Sequence, residues 1–273
     1  MVPINAISRC ELLLNYININ KIVPSMSENK TNVIRETNDE ARALAKQLIR
    51  TARFGALAVN SSNPGFPSVS RTLVGLDTDG APLILVSELS IHTNAIIADN
   101  KVSILLGEPG KGDPVAHPRI TIVCNANWIE RSDPRFKNLR ARFISRHPKA
   151  ALYVDFADFR FYRLEPLTAD LNGGFGKAFA LSPDDFLLRN KIENEIASVE
   201  REFLAKFNNN HASAIDKIIS AHLGHDEKNW HLIDVDCEGV GLAKSDRIIR
   251  VNFTQKPTSL QELETCIIHL ANQ

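Results

Sequence analysis

The chain contains 273 residues, a length that favours two domains over one. Hydrophobic residues make up 44% of it and charged residues 23%, which is typical of a soluble globular protein. Its 32 Lys and Arg side chains balance its 32 Asp and Glu side chains, so it has no formal net charge at pH 7. Without an overall positive field to attract phosphate backbones or anionic lipids, we expect no nucleic-acid and no membrane partner.

The cysteines and the apolar segments indicate a reducing compartment. Cys10, Cys124, Cys237 and Cys266 are far apart, and their spacings match neither a zinc site nor a disulfide framework. No apolar run approaches the ~20 residues that a membrane-spanning helix needs. These features predict a cytoplasmic protein.

Residues 1–36 precede the first strong helix signal and are predicted to be an N-terminal tail. One hypothesis places the natural start of the protein at Met26, because residues 1–25 lack a clear cationic start and cleavage site of a signal peptide. The alternative is a genuine disordered tail. Detection of peptides from residues 1–25 in protein from the native source would exclude the first alternative.

The stretch 37–185 is predicted to be a β-rich domain. A capping box of Thr37 and Glu40 predicts a first helix, and Asp133 with Pro134 predicts a later one that ends near His147. Apolar runs bounded by turn residues predict strands at 54–60, 68–76, 82–87, 101–106, 119–130 and 159–164, with a short helix at 90–98. Hairpins and short helices connect these strands, which favours an antiparallel barrel.

Residues 190–273 follow a different pattern. Two helices are predicted first, from apolar residues repeated at helical spacing. Three short strands are predicted at 231–235, 240–243 and 248–253, and a second capping box, of Ser259 and Glu262, opens a last helix. This order predicts a small C-terminal α+β domain, so the whole chain belongs to the α+β class.

Hydroxyl groups, one arginine and one imidazole gather around the start of the predicted helix at 90–98. A helix N-terminus offers free backbone N–H groups and arginine adds a fork of donors, so the group fits a phosphate or a carboxylate. The alternative is a solvated strand face followed by an ordinary helix cap. The residues concerned are Ser70, Arg71, Thr72, Ser87, His92 and Thr93.

A glycine loop at 172–176, with the sequence NGGFG, comes directly before Lys177. The loop lacks the ending of a phosphate-binding P-loop. Its backbone could approach a flat ligand closely, with Phe175 as a stacking ring. A tight turn with one buried Phe is the alternative.

The segment 68–130 resembles the flavin-binding split barrel of the pyridoxamine 5′-phosphate oxidase-like superfamily. The resemblance is carried by PSVSRTLVGLDTDGAPLILVSELSIHTNAIIADNKVSILL and GDPVAHPRITIVCNANWIE. The later LNGGFGKAF and the second domain are similar to one branch, the heme-utilisation proteins with heme oxygenase-like activity. Together these likenesses cover residues 37–273 and imply a six-stranded antiparallel split barrel with a small C-terminal α+β domain.

The resemblance also implies a homodimer that holds its cofactor between the subunits. Lys177 of the glycine loop is one candidate for binding that cofactor. In the superfamily, the flavin phosphate site is lined by the positions that correspond here to Arg71, Thr72, Ser87, His92 and Thr93.

Members of the heme branch often carry a motif resembling His-Met-Asn-x-Asp-His in the second domain. Here residues 206–211 are KFNNNH, so Asn208 and His211 match while the first His and the Asp do not. Some members bind heme iron through a His in this domain or near the C-terminus, which makes His211 and His269 candidates for the iron ligand. Neutral Asn210 stands where a carboxylate would orient the imidazole, and this weakens the expectation of heme cleavage.

Three functions follow from the resemblance. The first is a heme-iron utilisation protein that binds heme at a dimer cleft and assists its oxidative degradation with an electron donor. The second is an FMN-dependent oxidoreductase of the pyridoxamine 5′-phosphate oxidase type. The third is a cofactor-free regulatory protein of tetrapyrrole metabolism. Heme or FMN is therefore the expected cofactor, and no catalytic residue is assigned.

Overall fold

The computed structural model describes residues 34–61, 65–189 and 192–273 of the chain. Residues Ile34–Gln273 form one compact unit. Among the described residues, no helix is long and apolar enough to cross a membrane. The predicted tail lies almost entirely outside them, as do Met26 and the hypothesis that the protein starts there.

A closed barrel of antiparallel strands forms the larger part of the fold. Its sheet contains β1 (Ile34–Arg35), β2 (Phe54–Asn60), β3 (Pro67–Leu76), β4 (Pro82–Ser87), β5 (Lys101–Leu106), β6 (Arg119–Ile129), β7 (Phe159–Asn172) and β8 (Ala178–Leu181). The barrel closes because β7 pairs with β4 on one side and with β6 on the other, in the order β7-β4-β3-β2-β5-β6. Strand β8 extends the sheet beyond β7, and β1 pairs with it in parallel. The predicted six-stranded antiparallel barrel is confirmed.

Three strands differ from the sequence prediction. Strand β7 continues to Asn172 rather than ending at residue 164, and neither β8 nor β1, which lies in the predicted tail, was predicted. The second half of β7 pairs with β6 and β8 together. Cross-strand pairing therefore extends a segment containing Pro166 and Asp170, two residue types that local strand preference disfavours.

Three helices accompany the barrel: α1 (Asp39–Thr51), α2 (Ile91–Ala98) and α3 (Phe136–Arg146). The cap of α1 is Asn38 instead of the predicted Thr37, because the Asn38 side chain accepts a hydrogen bond from Ala41 N at 2.9 Å. Thr37 donates its hydroxyl to Ala180 O in β8 instead. Helix α3 begins at Phe136 rather than at Pro134, since Asp133 closes a turn by accepting from Arg135 N.

The barrel encloses one apolar core, and α3 covers a second core on its outside. Leu57 of β2 and Ile104 of β5 are fully buried inside the barrel. Outside it, Phe143 of α3 packs edge-on against Phe161 of β7, with 5.3 Å between the ring centroids. Gly75 of β3 makes room for the Phe143 ring, because a Cβ there would lie 2.5 Å from it. This packing fixes α3 on one side of the barrel.

The C-terminal part contains a three-stranded antiparallel sheet and three helices, in the predicted order. The elements are α4 (Ile192–Asn210), α5 (Ala212–Leu223), β9 (His231–Asp236), β10 (Gly239–Lys244), β11 (Arg247–Asn252) and α6 (Leu260–Leu270). The predicted capping box differs, because Glu262 accepts from Thr258 N and Oγ1 rather than from Ser259. The barrel core ends at Leu187 and the C-terminal core begins at Leu188. The division into domains 37–185 and 190–273 stays a prediction.

A buried ion network joins the barrel helices to the C-terminal sheet. Asp236 of β9 lies between Arg50 of α1 and Arg250 of β11. Asp234, also on β9, accepts a hydrogen bond from Arg146 of α3 at 3.0 Å. Burial alone would raise the pKa of Asp236, but the guanidinium groups of Arg250 and Arg50 lower it to about 2. The network therefore stays charged at neutral pH.

His147 follows α3 and is a buried, neutral histidine. Its Nε2 donates a hydrogen bond to Val74 O at 2.9 Å, and its ring lies 4.9 Å from that of Phe143. Burial lowers the pKa of His147 from 6.5 to about 4. Folding therefore favours the uncharged imidazole.

We expect the free energy of unfolding to fall by roughly 3 kcal/mol through His147 as the pH drops from about 6.5 to about 4. Unfolded His147 takes up a proton in this range while folded His147 does not, so acid favours the unfolded chain. The variant His147→Gln keeps a donor for Val74 O but does not titrate. Urea denaturation at pH 7 and 4.5 should show a smaller loss in the variant, and an equal loss in both proteins would contradict this role.

Candidate functional site

Arg71 lies on the outward face of β3. Side chains alternate along a strand, so the neighbouring Ser70 and Thr72 point to the opposite face, where Thr72 is buried. The Arg71 guanidinium stacks over the ring of Phe54 in β2, at 5.1 Å from its centroid. No carboxylate of a described residue forms an ion pair with it. Arg71 therefore presents an available positive charge beside an aromatic ring.

The surface around Arg71 is apolar and exposed. We call it the outer face; it is formed by side chains of four adjacent strands that alternate with the buried core residues. Val69 is 65% exposed and Leu105 is 40% exposed, although both lie in the middle of the sheet. Apolar patches of this kind mark interaction surfaces. The members of the outer face are Ala56, Ala58, Val69, Leu73, Leu105 and Val123.

A cleft of about 410 Å³ adjoins the outer face and shares Phe54 with it. We call it the hairpin cleft, because the turn between β10 and β11 forms one wall. Arg53 and Arg247 contribute positive charge, and Arg53 lies 3.7 Å from the carboxylate of Asp246. The remaining lining combines the apolar side chains of Leu48, Ala52, Ile248 and Ile249 with Thr51 and the acidic Glu108.

The hydroxyl groups near the start of α2, which were predicted to bind an anion, form hydrogen bonds within the protein instead. Ser87 Oγ donates to the carboxylate of Asp158 at 2.6 Å, and Thr93 Oγ1 donates to Ser87 O at 2.7 Å. His92 Nδ1 lies 3.1 Å from Ser70 Oγ, and burial lowers the pKa of His92. The structure thus brings Ser70, Ser87, His92 and Thr93 to α2. It places Arg71 on the other side of β3 from Ser70.

The glycine loop forms a tight turn between β7 and β8. Gly173 N donates to Lys177 O at 2.7 Å, and Gly174 adopts a φ of 107°, which favours glycine. Phe175 at the tip is 78% exposed, so the predicted alternative of a buried Phe is wrong. The Lys177 ammonium lies 3.3 Å from Glu40 of α1.

The two predicted iron ligands lie in the C-terminal part. His211 stacks on Phe207 with 4.6 Å between the ring centroids, and its Nε2 lies 3.1 Å from Glu264 of α6. His269 is exposed in the last turn of α6. Residues 206–211 alone suggested that His211 lacks an orienting carboxylate. Glu264 supplies one from a helix far along the chain, where no local pattern could reveal it.

The candidate residues thus occupy four separate places: the outer face, the start of α2, the glycine loop and the α4–α6 region. Within the described ranges, no group of three or more His, Cys, Asp or Glu side chains is placed to hold a metal ion. The sequence prediction missed Phe54, which contacts Arg71, and Arg53 and Arg247, which line the adjoining hairpin cleft. The packing of β2 and β11 brings these residues to this region.

Residues 36–187, more than half of the chain, match the family model described as the β-barrel of CREG. The chain belongs to the CREG β-barrel family. This family match spans α1 and all six strands of the closed barrel, including Arg71 and the outer face. The resemblance found in the sequence, to the heme-utilisation branch of the pyridoxamine 5′-phosphate oxidase-like split barrels, is confirmed together with it.

Relatives of this CREG-type chain extend beyond the barrel. The chloroplastic heme oxygenase HOZ of Arabidopsis thaliana is 25% identical over 245 residues, which cover 84% of this chain and 74% of HOZ. The protein Atu2129 of Agrobacterium tumefaciens, described as of unknown function, has a similar structure. Its TM-score is 0.73 at 26% identity, covering 84% of this chain and 94% of that one.

A heme binding protein from Mycobacterium smegmatis shares the fold as well. Its TM-score is 0.50 at 22% identity, covering 85% of this chain and 96% of that chain. This likeness concerns the course of the backbone, through both the barrel and the C-terminal part. At this identity the likeness establishes the shared fold.

Proposed function

We propose that this chain is a heme-utilisation protein that binds heme between two copies of its barrel and assists the oxidative degradation of the macrocycle. The observation that carries the proposal is Arg71, an arginine without a carboxylate partner among the described residues, set beside Phe54 on an exposed apolar face. The similarity to HOZ over most of the chain supports heme as the substrate.

The chemistry of the outer face suits heme. A porphyrin is flat and apolar with two carboxylates at one edge, so it needs an apolar wall and nearby cations. Arg71 can form charge-assisted hydrogen bonds with a propionate, and the apolar outer face can exclude water from the ring. Arg53 of the hairpin cleft precedes Phe54 in the chain and can serve the second propionate, whereas Arg247 is already paired with Glu227.

The exposed apolar residues support a homodimer. Ile91 and Ile97 of α2 are 70% and 61% exposed, in addition to the outer face on the barrel strands. Covering such residues is favourable by about 25 cal/mol per Å² of apolar area removed from water. A second copy of the chain would cover them and would close a heme site from the other side.

The iron ligand is proposed to be His211 or His269; because both lie apart from the outer face, the second copy of the chain would have to supply it. The carboxylate of Glu264 would orient the His211 ring and increase its basicity, as the partners of metal-bound histidines do. Because Glu264 lies 3.1 Å from Nε2, it can play this part only if Nδ1 is the nitrogen that binds the iron. Bound heme would supply the iron for the oxygen chemistry, the histidine would hold that iron, and an external electron donor would be required.

FMN is less well accommodated at the predicted phosphate position. Asp158 accepts a hydrogen bond from the Ser87 hydroxyl, so a phosphate beside Ser87 would be repelled by a carboxylate.

The colour of the purified protein discriminates between the alternatives. Flavin bands would support the FMN-dependent oxidoreductase. A protein that takes up neither hemin nor FMN would support the cofactor-free regulator. Cytoplasmic location stays a prediction.

The variant Arg71→Ala is expected to weaken hemin binding by about 1.5–3 kcal/mol, or roughly tenfold to a hundredfold, because one charge-assisted pair is lost. Titration with hemin, followed through the Soret band, measures the affinity. The matched control is Arg201→Ala, an exposed arginine on α4 away from the outer face.

Sedimentation of the same samples should give the mass of two chains. Equal hemin affinity of Arg71→Ala and the parent protein would remove Arg71 from the site. A single-chain mass for the heme-loaded protein would refute the shared cleft. Loss of the shifted Soret band in His211→Ala or in His269→Ala would distinguish the two proposed ligands.

A further inference from the structure

A second cleft lies between α1 and the C-terminal sheet and shares no lining residue with the hairpin cleft. Its volume is about 290 Å³. Five of its lining side chains are cationic and two are acidic, although the whole chain has no formal net charge. We call it the seam cleft. Its charged lining residues are Asp39, Arg42, Lys46, Arg50, Glu238, Arg250 and Lys256.

Some of this positive charge is not neutralised locally. Lys46 and Lys256 both lie 2.8 Å from the single carboxylate of Glu238, so two ammonium groups share one negative charge. Arg42, by contrast, is paired with both Asp39 and Asp185. The excess charge of the seam cleft therefore sits at the two lysines.

Two residues that line this cleft carry a buried guanidinium nitrogen without a hydrogen-bond acceptor among the described residues. They are Arg50 Nη2 and Arg250 Nη1, the latter 3.6 Å from the carboxylate of Asp234. The Arg50 side chain is 4% exposed and that of Arg250 is 1% exposed, so bulk water does not satisfy them. An unsatisfied buried donor is costly and indicates a bound water or ion.

We propose that the seam cleft binds a small oxyanion of the phosphate type. Such an anion has enough acceptor oxygens to take hydrogen bonds from arginines on both walls and to contact Lys46 and Lys256 together. A monocarboxylate has two oxygens and serves fewer of these groups. Because Arg50 belongs to α1 and Arg250 to β11, the bound anion would tie the barrel to the C-terminal sheet.

Inorganic phosphate and diphosphate are the probes, measured by calorimetric titration and thermal unfolding at constant ionic strength with chloride as reference. Lys256→Gln is expected to bind about tenfold more weakly, since one charge-assisted contact is lost. Lys206→Gln, which removes another exposed lysine that does not line the cleft, should bind as the parent protein does.

Glu238→Gln is expected to strengthen phosphate binding, a result that a misfolded variant would not produce. It removes the carboxylate that competes for both lysines, so phosphate binding should become several-fold tighter. Tighter binding in Glu238→Gln together with weaker binding in Lys256→Gln supports the site. Absence of binding to the parent protein, or equal affinities of all four proteins, would overturn it and would indicate that water alone occupies the cleft. Hemin binding is measured separately and does not enter this result.

Discussion

Asp236→Asn is expected to reduce the free energy of unfolding by about 3–5 kcal/mol, because it leaves two buried arginines without their shared carboxylate. Asp236 is 1% exposed and lies between Arg50 and Arg250. An amide of the same shape cannot balance either positive charge, and both arginine side chains are almost entirely shielded from bulk water. The loss exceeds that of any surface ion pair in the protein.

Urea denaturation at pH 7 measures this change. Asp246→Asn is the matched control, since Asp246 is 78% exposed and lies 3.7 Å from Arg53, so its removal should cost less than about 0.5 kcal/mol. A similar small effect for Asp236→Asn would mean that the buried ion network contributes little. The comparison separates burial from charge, as both variants make the same chemical change.

The network matters for function because it positions the C-terminal hairpin. Arg50 and Arg146 belong to barrel helices, whereas Asp234 and Asp236 belong to β9, which pairs with β10. The turn after β10 forms a wall of the hairpin cleft. Loosening the network should therefore weaken hemin binding in the proposed site as well as stability.

Phe143→Ala is expected to cost about 3–5 kcal/mol of stability, the usual range for removing a fully buried aromatic ring. The ring is 0% exposed and packs against Phe161, His147 and Gly75. Its removal leaves a cavity between α3 and the barrel. Gly75 cannot fill this cavity, as it has no side chain.

Chemical denaturation of Phe143→Ala and of the control Phe156→Ala tests this expectation. Phe156 is 57% exposed, so its truncation should change stability much less. Equal losses would show that α3 is not held by the Phe143 contact. The result also concerns the proposed site, because α3 occupies one side of the barrel and leaves the outer face around Arg71 free for a second copy.

Much of the barrel could be predicted from local patterns. The strands at 54–60, 82–87 and 101–106 match the structure residue for residue, since each is a short apolar run bounded by turn residues. The first residues of helices α1 and α3 were predicted less well. Thr37 bonds to β8, a neighbour that the local sequence does not contain, whereas Asp133 closes a local turn with Arg135.

The candidate site was only partly predictable. An exposed arginine in β3 could be inferred from the resemblance, but its separation from the hydroxyls at α2 follows from strand alternation and barrel closure. The partners Phe54, Arg247 and Glu264 come from distant parts of the chain. Each reaches its place through packing, so no spacing rule connects it with Arg71 or His211.

By itself, the sequence determined the antiparallel strands and the α+β class, because apolar periodicity and turn residues act over a few positions, while its resemblance to known proteins indicated the superfamily. Tertiary structure alone decided which buried charges pair, which barrel face stays uncovered and which carboxylate faces His211. These depend on contacts between residues far apart in the chain, whose energies arise only when the barrel closes and the C-terminal sheet packs against it.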